Sequence, residues 1–175
     1  MLLIIIVMLK DLITSKTRLQ LLVKFFISAA NSGYLRGLAL EMDENTNAIR
    51  KELNHLSEAG YILRDAATSK IMYRANTAHP LFSTLQELVR KHLGIDQIIA
   101  QVLERMGEVS KIYLTGDYAQ GIDSGNISVV VEGSHVNEEY LVQLAPKIEQ
   151  EIKKRVQFTV TSAFAGNGLL IFENK

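Results

Sequence analysis

Apolar residues recur at helical spacing through the first half of the chain and in short strand-like runs through the second. Leu19, Leu22, Val23 and Phe26 share one stripe and predict a helix. Thr14 or Ser15 can cap its start, and Asn31-Ser32-Gly33 can end it. The stretch YLRGLALEM, residues 34–42, reads as a short second helix. Ile49, Leu53 and Leu56 stand at i, i+4 and i+7 and predict a third; Asp43 or Asn45 can cap it and Gly60 can stop it. Two short apolar pieces, 61–63 and 71–73, flank a polar loop at 65–70, which predicts a two-stranded ribbon. Pro80 suits the first turn of a further helix with Leu81, Leu85, Leu88, Val89 and His92 on its apolar stripe. Gly94 divides that helix from another at 96–106.

From Lys111 the pattern changes. Strands are predicted at 111–115, 127–132, 156–162 and 169–173, with one helix at 137–154 turning Leu141, Leu144, Ala145, Ile148 and Ile152 inward. The run Val129–Val130–Val131 suits a strand buried on both faces. Ala165-Gly166-Asn167-Gly168 between the last two strands is a hairpin signal. The fold class expected is α+β. Its first part has the winged helix-turn-helix order of three helices and a β-ribbon, over 10–78. A helical connector at 79–108 and a small α/β domain at 109–175 follow.

Composition narrows the chemistry. The chain has 175 residues, 47% of them apolar, enough for one domain or two small ones. It contains no cysteine, which excludes disulfides, zinc–thiolate sites and thiol catalysis. Its four histidines are scattered without a ligand pair at helical spacing. The formal net charge is zero. Residues 1–78 carry ten Lys and Arg against seven Asp and Glu, and residues 79–175 carry nine against twelve. A basic surface therefore has to come from local clustering. The opening MLLIIIVML is an unbroken apolar run of nine residues. That is about half of what a bilayer core needs. No basic segment precedes it and no small-residue cleavage site follows. The expectation is a buried helix or a dimer contact in a cytoplasmic protein, with no membrane partner.

The third helix carries the candidate chemistry. With Ile49, Leu53 and Leu56 inward, its outer face shows Thr46, Asn47, Arg50, Lys51 and Asn54. Asn pairs bidentately with adenine, Arg with guanine, and Lys or Thr meets phosphate or base. Lys16 and Arg18 at the first helix, Arg36 on the second, and Arg64 and Lys70 on the ribbon are candidate phosphate contacts, which set register rather than sequence. Glu52 and Glu58 dilute this face, and Glu41, Asp43 and Glu44 stand just before it. The competing reading is a solvated face on a protein-interaction module.

As an ordered set, SKTR, YLR-LA, the K-L and AG spacing of the third helix, Y-AN with HPL, and the later GDYA-GIDSG resemble the ArsR-like winged-helix regulators that carry a C-terminal nucleotidyltransferase-like domain. The resemblance covers roughly 14–133. It implies a transcriptional regulator, a homodimer that binds double-stranded DNA. It does not carry over the cysteine-based metal sensing of the arsenic-responsive members.

The same resemblance makes LTGDYAQGIDSGNISVVVEG, residues 114–133, look like a transferase loop without its chemistry. Nucleotidyl transfer uses two divalent metals held by carboxylates. Gly116 stands where the family glycine does, but Asp117 takes the serine position and Gln120 that of a common basic residue. The acidic pair maps to Asn126 and Ser128, and 156–161 offers no third carboxylate. Asp123 suits a turn with Gly125. No catalytic residue, metal or cofactor is expected. A weaker alternative keeps Gly116, Asp117, Asp123, Asn126 and Ser128 as a cleft that senses a nucleotide or sugar-nucleotide. The expected function is sequence-specific DNA binding by a regulator with an inactive transferase-like domain. Dimerisation is expected from the apolar first nine residues and the connector stripe.

Overall fold

A computed structural model describes residues 11–175, and the opening apolar run lies outside them. The protein is mixed α+β and divides into two compact units. The division falls between Val89 and Arg90, inside what the sequence suggests is a single connector; residues 120–122 group with the first unit.

In the first unit, α1 (Lys16–Phe26) is followed by β1 (Ser32–Tyr34), α2 (Leu35–Met42), α3 (Thr46–Glu58), β2 (Ile62–Asp65) and β3 (Met72–Ala75). Ser15 is the cap used at α1, its hydroxyl accepting the Arg18 N–H. Asn45 caps α3 by accepting the Ala48 N–H at 2.8 Å. Asp43 instead closes α2 in a left-handed conformation. The ribbon gains a third strand, giving the antiparallel order β1-β3-β2. Asn31-Ser32-Gly33 thus leads into a strand, and α1 has already ended at Phe26. The core is Leu21, Phe25, Phe26, Leu38, Ile49, Leu53 and Ile62, each at most 2% exposed. Leu21 and Phe25 replace Leu19 as the inward residues of α1, because this helix is covered on more than one side.

Glu52 is a correction to the sequence reading. It does not dilute the outer face of α3 but is buried between α3 and α1. Ser15 Oγ donates to its Oε1 at 2.9 Å and Arg18 Nε to its Oε2 at 2.8 Å. Burial pushes this carboxyl up, but the bonds from Arg18 and Ser15 outweigh it and hold the group below its ordinary value of 4.5. A carboxylate whose folded-state pKa is depressed stabilises the fold above its unfolded pKa. It loses that contribution as pH falls through the folded pKa. Denaturant unfolding at pH 7 and at pH 4 or below is therefore expected to show a steeper acid loss for the native chain than for Glu52→Gln. Equal acid losses in the two proteins would contradict it. Truncation to Glu52→Ala is expected to cost about 2 kcal/mol at pH 7, less than a fully buried pair because Arg18 keeps access to water.

α4 (Phe82–Leu93) and α5 (Ile95–Arg105) follow. Leu81 is 45% exposed, whereas Val89, His92 and Leu93 are buried. The stripe expected to serve dimerisation is thus partly spent inside the chain.

The second unit continues with β4 (Glu108–Thr115), the short α6 (Gly116–Ala119), β5 (Asn126–Ser134), α7 (Glu138–Ile152), β6 (Arg155–Thr161) and β7 (Leu169–Glu173). Its sheet has the order β6-β5-β4-β7. β5 and β6 are parallel, and α7 is the crossover that parallel neighbours require. Val129, Val130 and Val131 on the inner strand are all buried. The hairpin reading of residues 165–168 is overturned, since β6 and β7 lie on opposite edges of the sheet. Just before this segment stands Phe164, whose ring centroid lies 4.8 Å from that of Tyr113 and whose N–H donates to Glu132. A methyl at Gly168 would come to 3.0 Å from the Leu114 carbonyl oxygen, so that glycine serves a close approach to β4.

Candidate nucleic-acid interface

α3 is amphipathic because its inward positions follow the i, i+4, i+7 rule, and this leaves Asn47, Arg50, Lys51 and Asn54 exposed. Thr46 is half-buried at the first turn. Arg50 Nη1 donates to Asn47 Oδ1 at 2.9 Å, one turn back, which restrains the guanidinium.

Arg50 and Asn54 open onto a groove of about 650 Å³ that also holds Arg36 from α2, and Arg64 and Lys70 from β2 and the loop beyond it. Five of the ten residues singled out from the sequence therefore converge on one concavity. Two tyrosines line it that the sequence reading did not include. Lys70 Nζ stands 4.2 Å from the Tyr34 ring centroid, and Arg64 Cζ 5.9 Å from that of Tyr73. An aromatic face attracts a cation without neutralising it, so both charges stay available to an anion. The signal was present as Tyr34 two residues before Arg36 and Tyr73 between the two hairpin strands' basic residues, but only the strand pairing of Arg64 with Tyr73 brings them together.

The other candidates lie apart from this groove. Lys16 is exposed at the start of α1. Arg18 is committed to Glu52, with its side chain 38% exposed. Lys51 and Asn47 lie on the exposed face of α3 but do not line the groove. Of the acids before α3, Glu41 is held by the buried Lys24 at 2.8 Å.

In the second unit, Gly116 opens α6 with a positive φ of 64°, and a methyl there would reach 3.9 Å from the Ser128 hydroxyl. Gly116 and Ser128 are thus neighbours, with Asp117 and Asn126 exposed. Asp123 has partners of its own. Its carboxylate accepts the hydroxyl of the buried Tyr118 and pairs with Lys154 at 3.4 Å. Tyr118 in turn accepts the Gly125 N–H at 3.1 Å. Burial, with the charge of Asp123, holds the Tyr118 phenol well above its usual range, so it remains a donor. Asp123 therefore ties a turn to the core. Among the described residues, no group of three His, Asp or Glu side chains converges as a metal site. No helix among them is long and apolar enough to cross a membrane.

No protein-family model, curated protein or solved structure matches the chain.

Proposed function

We propose that the chain is a DNA-binding transcriptional regulator. In this reading the first unit is a winged helix-turn-helix, with α3 as the recognition helix and the loop between β2 and β3 as the wing. The resemblance to ArsR-like regulators with a nucleotidyltransferase-like C-terminal domain points the same way. The observation that carries the proposal is the groove in which Arg36, Arg50, Arg64 and Lys70 meet beside the exposed Asn54. A neutral chain that gathers four cations and an amide at one concavity has spent its basic residues on an anionic partner. The major groove admits a helix such as α3, whose Arg50 and Asn54 carry the donors suited to guanine and adenine. The wing cations then meet the flanking phosphates.

The second unit is read as a transferase-like scaffold without catalysis. Asn126 and Ser128 replace the acidic pair, and Asp123 is committed to Tyr118 and Lys154. Function resides in site residues, and a fold outlasts their loss. Two copies would present two α3 helices about 34 Å apart to a palindromic operator.

The test is selection of bound genomic fragments followed by affinity measurement across salt concentrations. With Arg50 on a base, phosphate contacts by Arg36, Lys51, Arg64 and Lys70 predict a slope of about −3.6 per copy in log K against log salt, a loss of about a hundredfold per copy between 50 and 200 mM. Absence of binding to every fragment at low salt, alongside a stoichiometric protein partner, would replace this reading with that of a protein-interaction module.

A further inference from the structure

Among the described residues β6 is an outer strand, bonded to β5 on one side only. The Arg155 N–H donates to the Gly125 carbonyl at 2.8 Å. Backbone direction alternates along a strand, so Val156, Phe158 and Val160 turn their N–H and C=O groups to the free edge. Glu149 on α7 accepts the Val156 N–H at 2.8 Å. The edge groups of Phe158 and Val160 have no partner among the described residues. The strand RVQFTVT carries one charge and no proline, so it lacks the usual protection against pairing. Beside it, α7 lines a cleft of about 570 Å³ with Leu141, Val142 and Pro146, and Val142 is 76% exposed.

We propose that this edge takes a second copy of the chain, pairing β6 antiparallel to β6 with Phe158 opposite Phe158 about a twofold axis. This deepens the dimer part of the function above and stands whether or not the protein binds DNA. The two Phe158 residues exchange both backbone bonds, and each Val160 N–H donates to the second copy's Val156 carbonyl. The Val156 N–H stays with Glu149.

Charge selects a second copy as the occupant. Cross-strand partners share a face of the sheet. The register places Glu173 beside Lys111, Lys111 beside Glu132, and Glu132 beside Thr161. Antiparallel pairing about Phe158 brings the second copy's Arg155 next to Thr161. The second copy's Arg155 then stands opposite in sign to Glu132, with the neutral Thr161 between them, on both sides of the axis, as an isologous contact requires. Arg155 is exposed and has no ion pair among the described residues.

Two measurements on the full chain test this. Gln157 and Thr159 are exposed and come opposite each other across the axis as a non-hydrogen-bonded pair. Their Cα atoms would be about 4.5 Å apart, inside the disulfide range of about 4.4–6.8 Å. The chain has no cysteine of its own. A mixture of Gln157→Cys and Thr159→Cys chains is expected to cross-link under mild oxidation, and neither alone to do so. Sedimentation of Gln157→Lys/Thr159→Lys, which sets like charges opposite each other, is expected to show a dimer at least about tenfold weaker, with unchanged circular dichroism. A monomeric native chain at tens of micromolar would overturn the proposal. So would a dimer indifferent to both lysines, or one that is lost on deleting residues 1–9 without any 157–159 cross-link.

Discussion

Arg50→Ala is expected to weaken binding to a selected operator about ten- to hundredfold, and to relax its preference at one base pair. A good bidentate Arg–guanine contact contributes about 1–3 kcal/mol of discrimination. Arg50 is suited to it by its position on the exposed face of α3 and by the 2.9 Å bond it donates to Asn47, which limits the conformations the guanidinium must give up on binding. Lys51→Ala provides the contrast. Lys51 is exposed on the same helix but lies outside the groove, and a phosphate contact there carries no sequence information. Its loss should weaken all duplexes alike and flatten the salt slope by about one. Titration of both variants against the operator and single-base mismatches separates the two roles. If Arg50→Ala weakens every mismatch by the same factor as the operator, α3 does not read a base through this residue.

Gly133→Ala is expected to destabilise the second unit by about 3 kcal/mol, the upper end for a residue forced into a filled site. Gly133 pairs with Val109 where β4 shifts register against β5. A methyl there would lie 2.2 Å from the Glu108 carbonyl oxygen, which is backbone and cannot rotate away, and 3.0 Å from Val136. The two strands would have to part at the end of the β4–β5 ladder. Gly125→Ala is the control. Its φ of 84° disfavours a side chain, but nothing stands within 4 Å of the added methyl, so the cost should be about 1 kcal/mol. Urea unfolding read from Tyr118, which is buried in this unit, measures both. An alanine at 133 no more costly than one at 125 would show that the strands separate freely at this bulge.

How much was legible in advance differs from one element to the next. The face of α3 was readable because a 3.6-residue period fixes what lies opposite Ile49, Leu53 and Leu56. Gly60 and Asn45 mark its ends for local reasons, a positive φ of 78° and a side-chain cap. On the same helix the acidic Glu52 reads as an outer residue but is buried. Its burial depends on Arg18 and Ser15, 34 and 37 residues away, and no local pattern announces that partnership. For the same reason Arg18 reads as a free phosphate contact from sequence, although it pairs with Glu52. The glycines at 166 and 168 have a hairpin's composition, but composition does not say which strands are neighbours. Tyr34 and Tyr73 carry no signal of their own, since one opens an expected helix and the other sits in an expected strand, where an aromatic residue is ordinarily core.

The sequence by itself determined most of the helices and strands, though not β1 or α6, the outward residues of α3, the absence of thiol chemistry and the neutral side chains at residues 126 and 128. These follow from periodicity, capping and residue identity, all of which act over a few positions of chain. The tertiary structure alone decided that Arg36, Arg50, Arg64 and Lys70 share one groove, that Glu52 consumes Arg18, and that Asp123 belongs to Tyr118. Charges and polar groups far apart in the chain acquire their roles only when packing settles which of them lose water together, and that is a property of the whole fold.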